Sequence, residues 1–166
     1  MSLDSRFLLI LFMFVGASPG SCGGGIKTTT FSTLTVLGIS RFMGQKRPQL
    51  FNRSIPEKSI RKAVSVVLIS TFIVFTGIMI LLMTELGSTS HIQSRGKFLE
   101  IFFEVISAFG TVGLSTGVTA TLSITGKLII TLIMFIGRLG PLLIAVAVSR
   151  PARLNYYYAE ENIMIG

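Results

Sequence analysis

The chain has 166 residues, half of them apolar, with a mean hydropathy of +0.74 and a net charge of +8. Charged residues make up only 13%, against about 25% in ordinary globular domains; this excludes a soluble domain that covers its core with charge and points to an all-α membrane protein. The basic excess does not point to nucleic acid, because its densest stretch (Arg41, Lys46, Arg47, Arg53, Lys58, Arg61 and Lys62) lies between two apolar runs without interleaved stacking aromatics, as expected of a cytoplasmic loop facing anionic headgroups.

In chain order, the first apolar run covers 7–15 and is too short to span alone. About 20 apolar residues are needed for a helix to cross a bilayer. A polar, glycine-rich stretch follows over 16–30, and apolar character resumes over 31–42. The two pieces read as one span broken in the middle, because Pro19 and the glycines cannot hold a regular helix. Pro48 and Pro56 break a basic linker over 44–56, and Ser54, Pro56 and Glu57 form a helix-start pattern, with Ser ahead of the helix and Pro in its first turn. The run 63–83 is long enough to span, and 85–97 is a polar loop containing the single histidine, His91, read as a solvated residue. Residues 98–109 form a short apolar helix carrying Glu100 and Glu104, followed by a segment from Gly110 to Gly117 that cannot stay helical. A last span covers 122–148, interrupted by Gly137, Arg138, Leu139, Gly140 and Pro141, and the tail 150–166 returns to charge. Arg150 and Arg153 place that tail on the same side as the basic linker.

The expected organisation is therefore a broken span over 1–44 with an intramembrane loop at 16–30, a cytoplasmic linker over 45–57, one complete span–half-helix–loop–span repeat over 58–149, and a cytoplasmic tail over 150–166. The repeat is a pore-loop unit, and the broken span is the second span of a preceding unit.

Three motifs carry the chemistry. Thr111, Val112, Gly113 and Leu114 follow a half-helix and precede a full span. Non-helical backbone at membrane depth is tolerated where it lines water or is buried in protein. An extended strand there exposes carbonyls that replace the hydration shell of a cation, and Thr-Val-Gly begins the potassium-channel filter sequence. The alternative is an ordinary extracellular turn after a surface helix.

The second motif is the break itself, with Gly16, Ser18, Gly20, Ser21, Gly23, Gly24, Gly25, Lys27 and Thr28 as candidate gate residues. A phosphate loop is the rival reading, but Ile26 intervenes between Gly25 and Lys27 and no strand precedes it. Close helix packing is the other alternative and accounts for some glycines, though not for the hydroxyls and the lysine.

Arg138, inside the last span, is the third. A charge at that depth costs several kcal/mol and is functional by default. Carbonyls and hydroxyls of the break are its expected partners, and a fixed positive charge there opposes cation passage; the alternative is an arginine that ties two helices together. Glu104 either anchors the loop by hydrogen bonds or attracts cations. No His or Cys is placed as base or nucleophile, the lone Cys22 forms no metal cluster, and enzymatic activity is not expected.

The stretch from Met13 to Ser21, the run from Gly25 to Thr30, the run from Ser107 to Gly117, the Gly137–Pro141 motif and the closing 160–166 closely resemble the Trk/Ktr/HKT superfamily of potassium and sodium transporters, in particular the membrane subunits of bacterial Ktr systems. The resemblance covers essentially the whole chain. It implies four span–pore-helix–span repeats around one pore. Gly113 would be the filter glycine of the fourth repeat, residues 16–30 the gating loop of the third, and Arg138 the arginine facing that loop. It also implies that this is the carboxyl-terminal portion of such a subunit, either a truncated reading frame or a fragment of a longer protein. Further implications are a multi-pass plasma-membrane location with a cytoplasmic carboxyl terminus, a homodimer, and a cytoplasmic nucleotide-binding regulatory ring as partner. No cofactor is expected in the chain itself, with ATP or ADP acting only through that ring, and no metal beyond transient potassium at the filter carbonyls. Two other readings stand beside this one: a non-conducting fragment or assembly subunit, and a secondary transporter of another solute, which uses broken helices too.

Overall fold

The computed structural model describes residues 3–45, 48–50, 53–86 and 94–140. The end of the expected last span (141–148), the tail (150–166), and residues Lys46, Arg47 and His91 lie outside the described residues.

Six helices follow one another among the described residues: α1 (Leu3–Phe14), α2 (Thr28–Phe42), α3 (Glu57–Leu86), α4 (Ser94–Gly110), α5 (Val118–Thr121) and α6 (Ile124–Leu139). Among the described residues the fold is all-α, apart from one antiparallel pair of two-residue strands in the basic linker, β1 (Gln49–Leu50) and β2 (Arg53–Ser54). That pair draws Ser54 into a strand, so Pro56 rather than Ser54 starts α3. The Pro56 carbonyl accepts from the amides of Ser59 (3.0 Å) and Ile60 (3.3 Å), and Glu57 places an acid at the positive end of the helix dipole.

At 30 residues, α3 extends roughly 45 Å, and among the described residues it is the one helix long and apolar enough to cross a membrane. It continues through Glu85, which was expected in a loop, because that carboxylate finds donors on α6 and so need not leave the helix for water. On the far side of the connection α4 begins at Ser94, earlier than the apolar run alone suggests. Its 17 residues extend roughly 25 Å, less than the roughly 30 Å of hydrocarbon. Residues Thr28, Thr29 and Thr30, expected within the break, instead form the first turn of α2. Lys27, at φ −64° and ψ 144°, is the last extended residue, and its carbonyl accepts from Thr30 (2.9 Å) and Phe31 (3.2 Å).

The core is built around α4, whose residues 103–110 are all buried. Ile101, Val105, Ile106 and Phe109 meet Met13 of α1, Val74, Ile78 and Leu81 of α3, and Ile130 and Ile133 of α6. Outward-facing residues of the same helices are apolar as well: Leu68, Phe72 and Phe75 on α3 and Leu128, Leu132 and Phe135 on α6 are exposed. Lipid tails are as apolar as leucine, so such a surface carries no penalty in a bilayer. What holds the helices together there is close packing of small residues. Gly77 illustrates this: a Cβ on it would lie 2.6 Å from Ile133 Cδ1.

Three contacts set the relative depth of the elements. Glu85, near the end of α3, bonds Ser123 at the start of α6. Gly77 lies level with Ile133 and Val105. Gly137 backs directly onto Phe109 at the end of α4. From Ser123 to Gly137 the helix advances roughly 20 Å, so α4 ends deep and residues 111–122 climb back to the level at which α3 ended.

Candidate functional site

The break between α1 and α2 is a closed loop. Its base is a parallel bridge between Val15 and Ile26, with the Gly16 amide on the Ile26 carbonyl (2.8 Å) and the Ile26 amide on the Phe14 carbonyl (3.3 Å). Gly16 permits the approach, since a Cβ there would overlap the Gly24 carbonyl. The tip, residues 18–22, is exposed and turns through a Ser21 amide bond to the Ser18 carbonyl (3.1 Å). Lys27 folds back over the loop, its Nζ donating to the carbonyls of Gly23 (2.6 Å) and Ser21 (3.3 Å).

A reversal follows at the end of α4. The amides of Thr111 and Val112 bond back to the carbonyls of Ala108 and Ser107, both at 3.0 Å. Thr111 takes φ +51° and Gly113 φ +82°; the first is costly for a β-branched residue, the second is open to glycine alone without strain. Residues 112–115 are exposed. The carbonyls of Thr111, Val112 and Gly113 accept no hydrogen bond from the described residues. Leu114 differs: its carbonyl accepts from the Ser107 hydroxyl at 2.5 Å and is turned toward α4.

Break and reversal meet. The Gly24 amide donates to Thr111 Oγ1 at 2.8 Å, linking positions 87 residues apart. A Cβ on Gly24 would come within 2.8 Å of the Phe109 carbonyl, and one on Gly110 within 2.6 Å of the Met13 carbonyl. Phe14 and Phe109 pack with their rings tilted by 30° at a 6.3 Å centroid distance. Gly137 closes the junction from α6, where a Cβ would overlap the Phe109 carbonyl. Arg138, expected to bond the break, does not: its side chain is exposed and has no hydrogen-bond or ion-pair partner among the described residues. Gly137 turns its backbone to the junction, and the next residue on a helix points about 100° away.

Behind the reversal sits Glu104, 5% exposed. Its Oε1 accepts from the Ser115 hydroxyl (2.5 Å), the Thr116 amide (2.8 Å) and the Thr116 hydroxyl (3.3 Å), and its Oε2 from the Thr119 hydroxyl (2.8 Å). A second carboxylate, Glu85, accepts from the amide and hydroxyl of Ser123, and Ser123 in turn caps α6 through the Gly126 amide (3.1 Å).

Sequence reasoning singled out the segment 111–114, the break 16–30 and Glu104. It did not identify Ser107, Ser115, Thr116, Thr119 or Ser123 as partners. Ser123 alone had a local signal, a serine directly before an apolar helix; the others depend on which hydroxyls the return leg brings to α4.

The family described as TrkH, cation transport protein, matches residues 4–155. The chain is 40% identical over 168 positions to Ktr system potassium uptake protein D of Bacillus subtilis, covering 100% of this chain and 35% of that one. It is 41% identical to Ktr system potassium uptake protein B of the same organism, covering 95% and 33%, and 36% identical to potassium/sodium uptake protein NtpJ of Enterococcus hirae, covering 100% and 36%. The chain thus spans about a third of the length of these relatives.

Proposed function

The chain belongs to the TrkH family of cation transport proteins, and on that premise we propose that it supplies one filter segment and one gate to a membrane pathway for potassium. The observation that carries this reading is the row of carbonyls at Thr111, Val112 and Gly113, which accept no hydrogen bond from the described residues. Carbonyls so presented are suited to replace a cation's hydration shell. The Leu114 carbonyl, engaged by Ser107, is the least available of the four.

One strand surrounds a cation on one side only, and the known carbonyl filter takes four loops. The chain therefore works as part of a larger assembly, in keeping with its one-third coverage of its relatives. The break 15–27, packed against the deep end of the filter segment, is the gate. Its exposed tip and its lysine stand where a cation leaving Thr111 would pass, and Arg138 adds positive charge at the same depth. A cytoplasmic regulatory ring, and a second copy of the subunit, are the partners we propose for the basic linker.

Potassium uptake by a deficient bacterium tests this. It would carry a chimera in which the present sequence replaces the matching third of the Bacillus subtilis Ktr protein D. The expected result is growth on low potassium, with Gly113→Ser lowering potassium uptake relative to sodium because serine resists φ +82°. A chimera that inserts in the membrane but carries no cation would sink the reading.

A further inference from the structure

The feature of this molecule that the filter and gate do not account for is Glu104. It is a carboxylate, 5% exposed, in the middle of an apolar core, and among the described residues no lysine, arginine or histidine pairs with it. Burial of a charge without compensation costs several kcal/mol. Compensation here comes from four donors on one short stretch of chain: the hydroxyls of Ser115, Thr116 and Thr119 and the amide of Thr116. The Thr116 amide can only donate, and the three hydroxyls are each able to donate, so every one of the four contacts can satisfy the carboxylate without a cation.

We infer that Glu104 is a positioning residue for ion selection: it clamps the return leg 115–119 to α4 and thereby sets the spacing of the carbonyls at 111–113. The inference rests on the proposed role of those carbonyls. The geometry has two fixed ends. At the deep end, Thr111 is held by its amide on Ala108 and by Gly24 on its hydroxyl. At the outer end, Ser107 holds the Leu114 carbonyl and Glu104 holds the next two residues. Between them lie Val112 and Gly113, exposed and without side-chain hydrogen bonds among the described residues. Their carbonyl spacing follows from where the ends are pinned. The Ser115 hydroxyl extends the clamp, accepting from the Gly117 amide (2.9 Å) at the left-handed φ +95° of that glycine.

Two substitutions separate positioning from general stability. Glu104→Leu removes every acceptor while keeping an apolar side chain of similar length. Glu104→Gln keeps an oxygen for the Ser115 and Thr116 donors and turns its amide toward Thr119, whose hydroxyl can accept instead. Amide hydrogen exchange of the whole chain in lipid nanodiscs is the first readout. Glu104→Leu is expected to speed exchange at Thr116 and Gly117 by at least about tenfold and leave the amides of α3 unchanged, with Glu104→Gln restoring most of the protection. Unchanged exchange at Thr116 in Glu104→Leu overturns the clamp. Should Glu104→Leu loosen α3 too, the pair Ser115→Ala and Thr119→Val, which leaves the acid and removes donors, takes its place with the same two outcomes.

The second readout is the potassium-to-sodium uptake ratio of the chimera. A residue that only stabilises the fold lowers both fluxes together. A positioning residue changes their ratio: a fall of roughly tenfold for Glu104→Leu and no more than about threefold for Glu104→Gln. Equal loss of both fluxes overturns the selectivity role. If the unsubstituted chimera carries no potassium, the filter reading fails, whereas the exchange experiment still decides whether Glu104 clamps the return leg.

Discussion

Two non-helical stretches meet at one depth in this molecule, and they are held in different ways. The stretch 111–119 is bound at its deep end to the backbone of α4 and at its outer end to α4 side chains, with Ser107 and Glu104 supplying five hydrogen bonds between them. The break 15–27 has a backbone bridge at its base, one lysine across its tip and a single hydrogen bond to the other stretch, from the Gly24 amide to Thr111 Oγ1. Hydrogen bonds to a buried carboxylate are shielded from water, whereas the exposed tip 18–22 of the break is crossed by a single flexible lysine. The difference suits the proposed roles: the more heavily pinned stretch as the filter segment, the more lightly pinned one as the gate.

The largest expected effect comes from removing the wall common to both. Gly137→Ala places a methyl group into the Phe109 carbonyl, where backbone, not a flexible side chain, must move. A loss of about 1–3 kcal/mol is expected, read as a lower unfolding temperature in detergent together with faster exchange in both stretches. An effect on one stretch only would show that they do not share this wall.

Next in size is the link between them. Thr111→Val keeps the shape and removes the acceptor for the Gly24 amide, while Thr111→Ser keeps the hydroxyl. The valine variant is expected to lose about 1 kcal/mol and to speed exchange at Gly24, and the serine variant to stay close to the parent. Equal behaviour of the two would mean that the hydroxyl does not join break to return leg.

Smallest is the lysine. Lys27→Met frees the carbonyls of Ser21 and Gly23 and removes a positive charge from the proposed path. Potassium flux through the chimera is expected to rise about two- to fivefold, the range that ~0.5–1 kcal/mol gives, with a further rise when Arg138→Ala is added. Lower flux with unchanged protein level would turn the lysine from a barrier into a support.

Much of this was legible in the residues because membrane helices obey few rules. Apolar length marks α3, and an apolar run too short to cross marks α4. Pro19 and five glycines mark the break between α1 and α2. These signals are local, and the all-α class, the break and the reversal follow from them, since a backbone in hydrocarbon must bond to itself or be sheltered. Other features had no local signal. The linker's strand pair, the threonines at the start of α2 and the survival of α3 through Glu85 all depend on neighbours distant in the chain. So does the fate of Arg138, whose depth the sequence conveys but whose direction is set by Gly137 packing on Phe109. The same holds for Glu104: the sequence places an acid late on a short helix, and only the folded return leg decides that hydroxyls and one amide, not a cation, surround it. A buried charge takes whatever donors the packing brings within reach, and that choice is made by tertiary geometry, not by the pattern of residues along the chain.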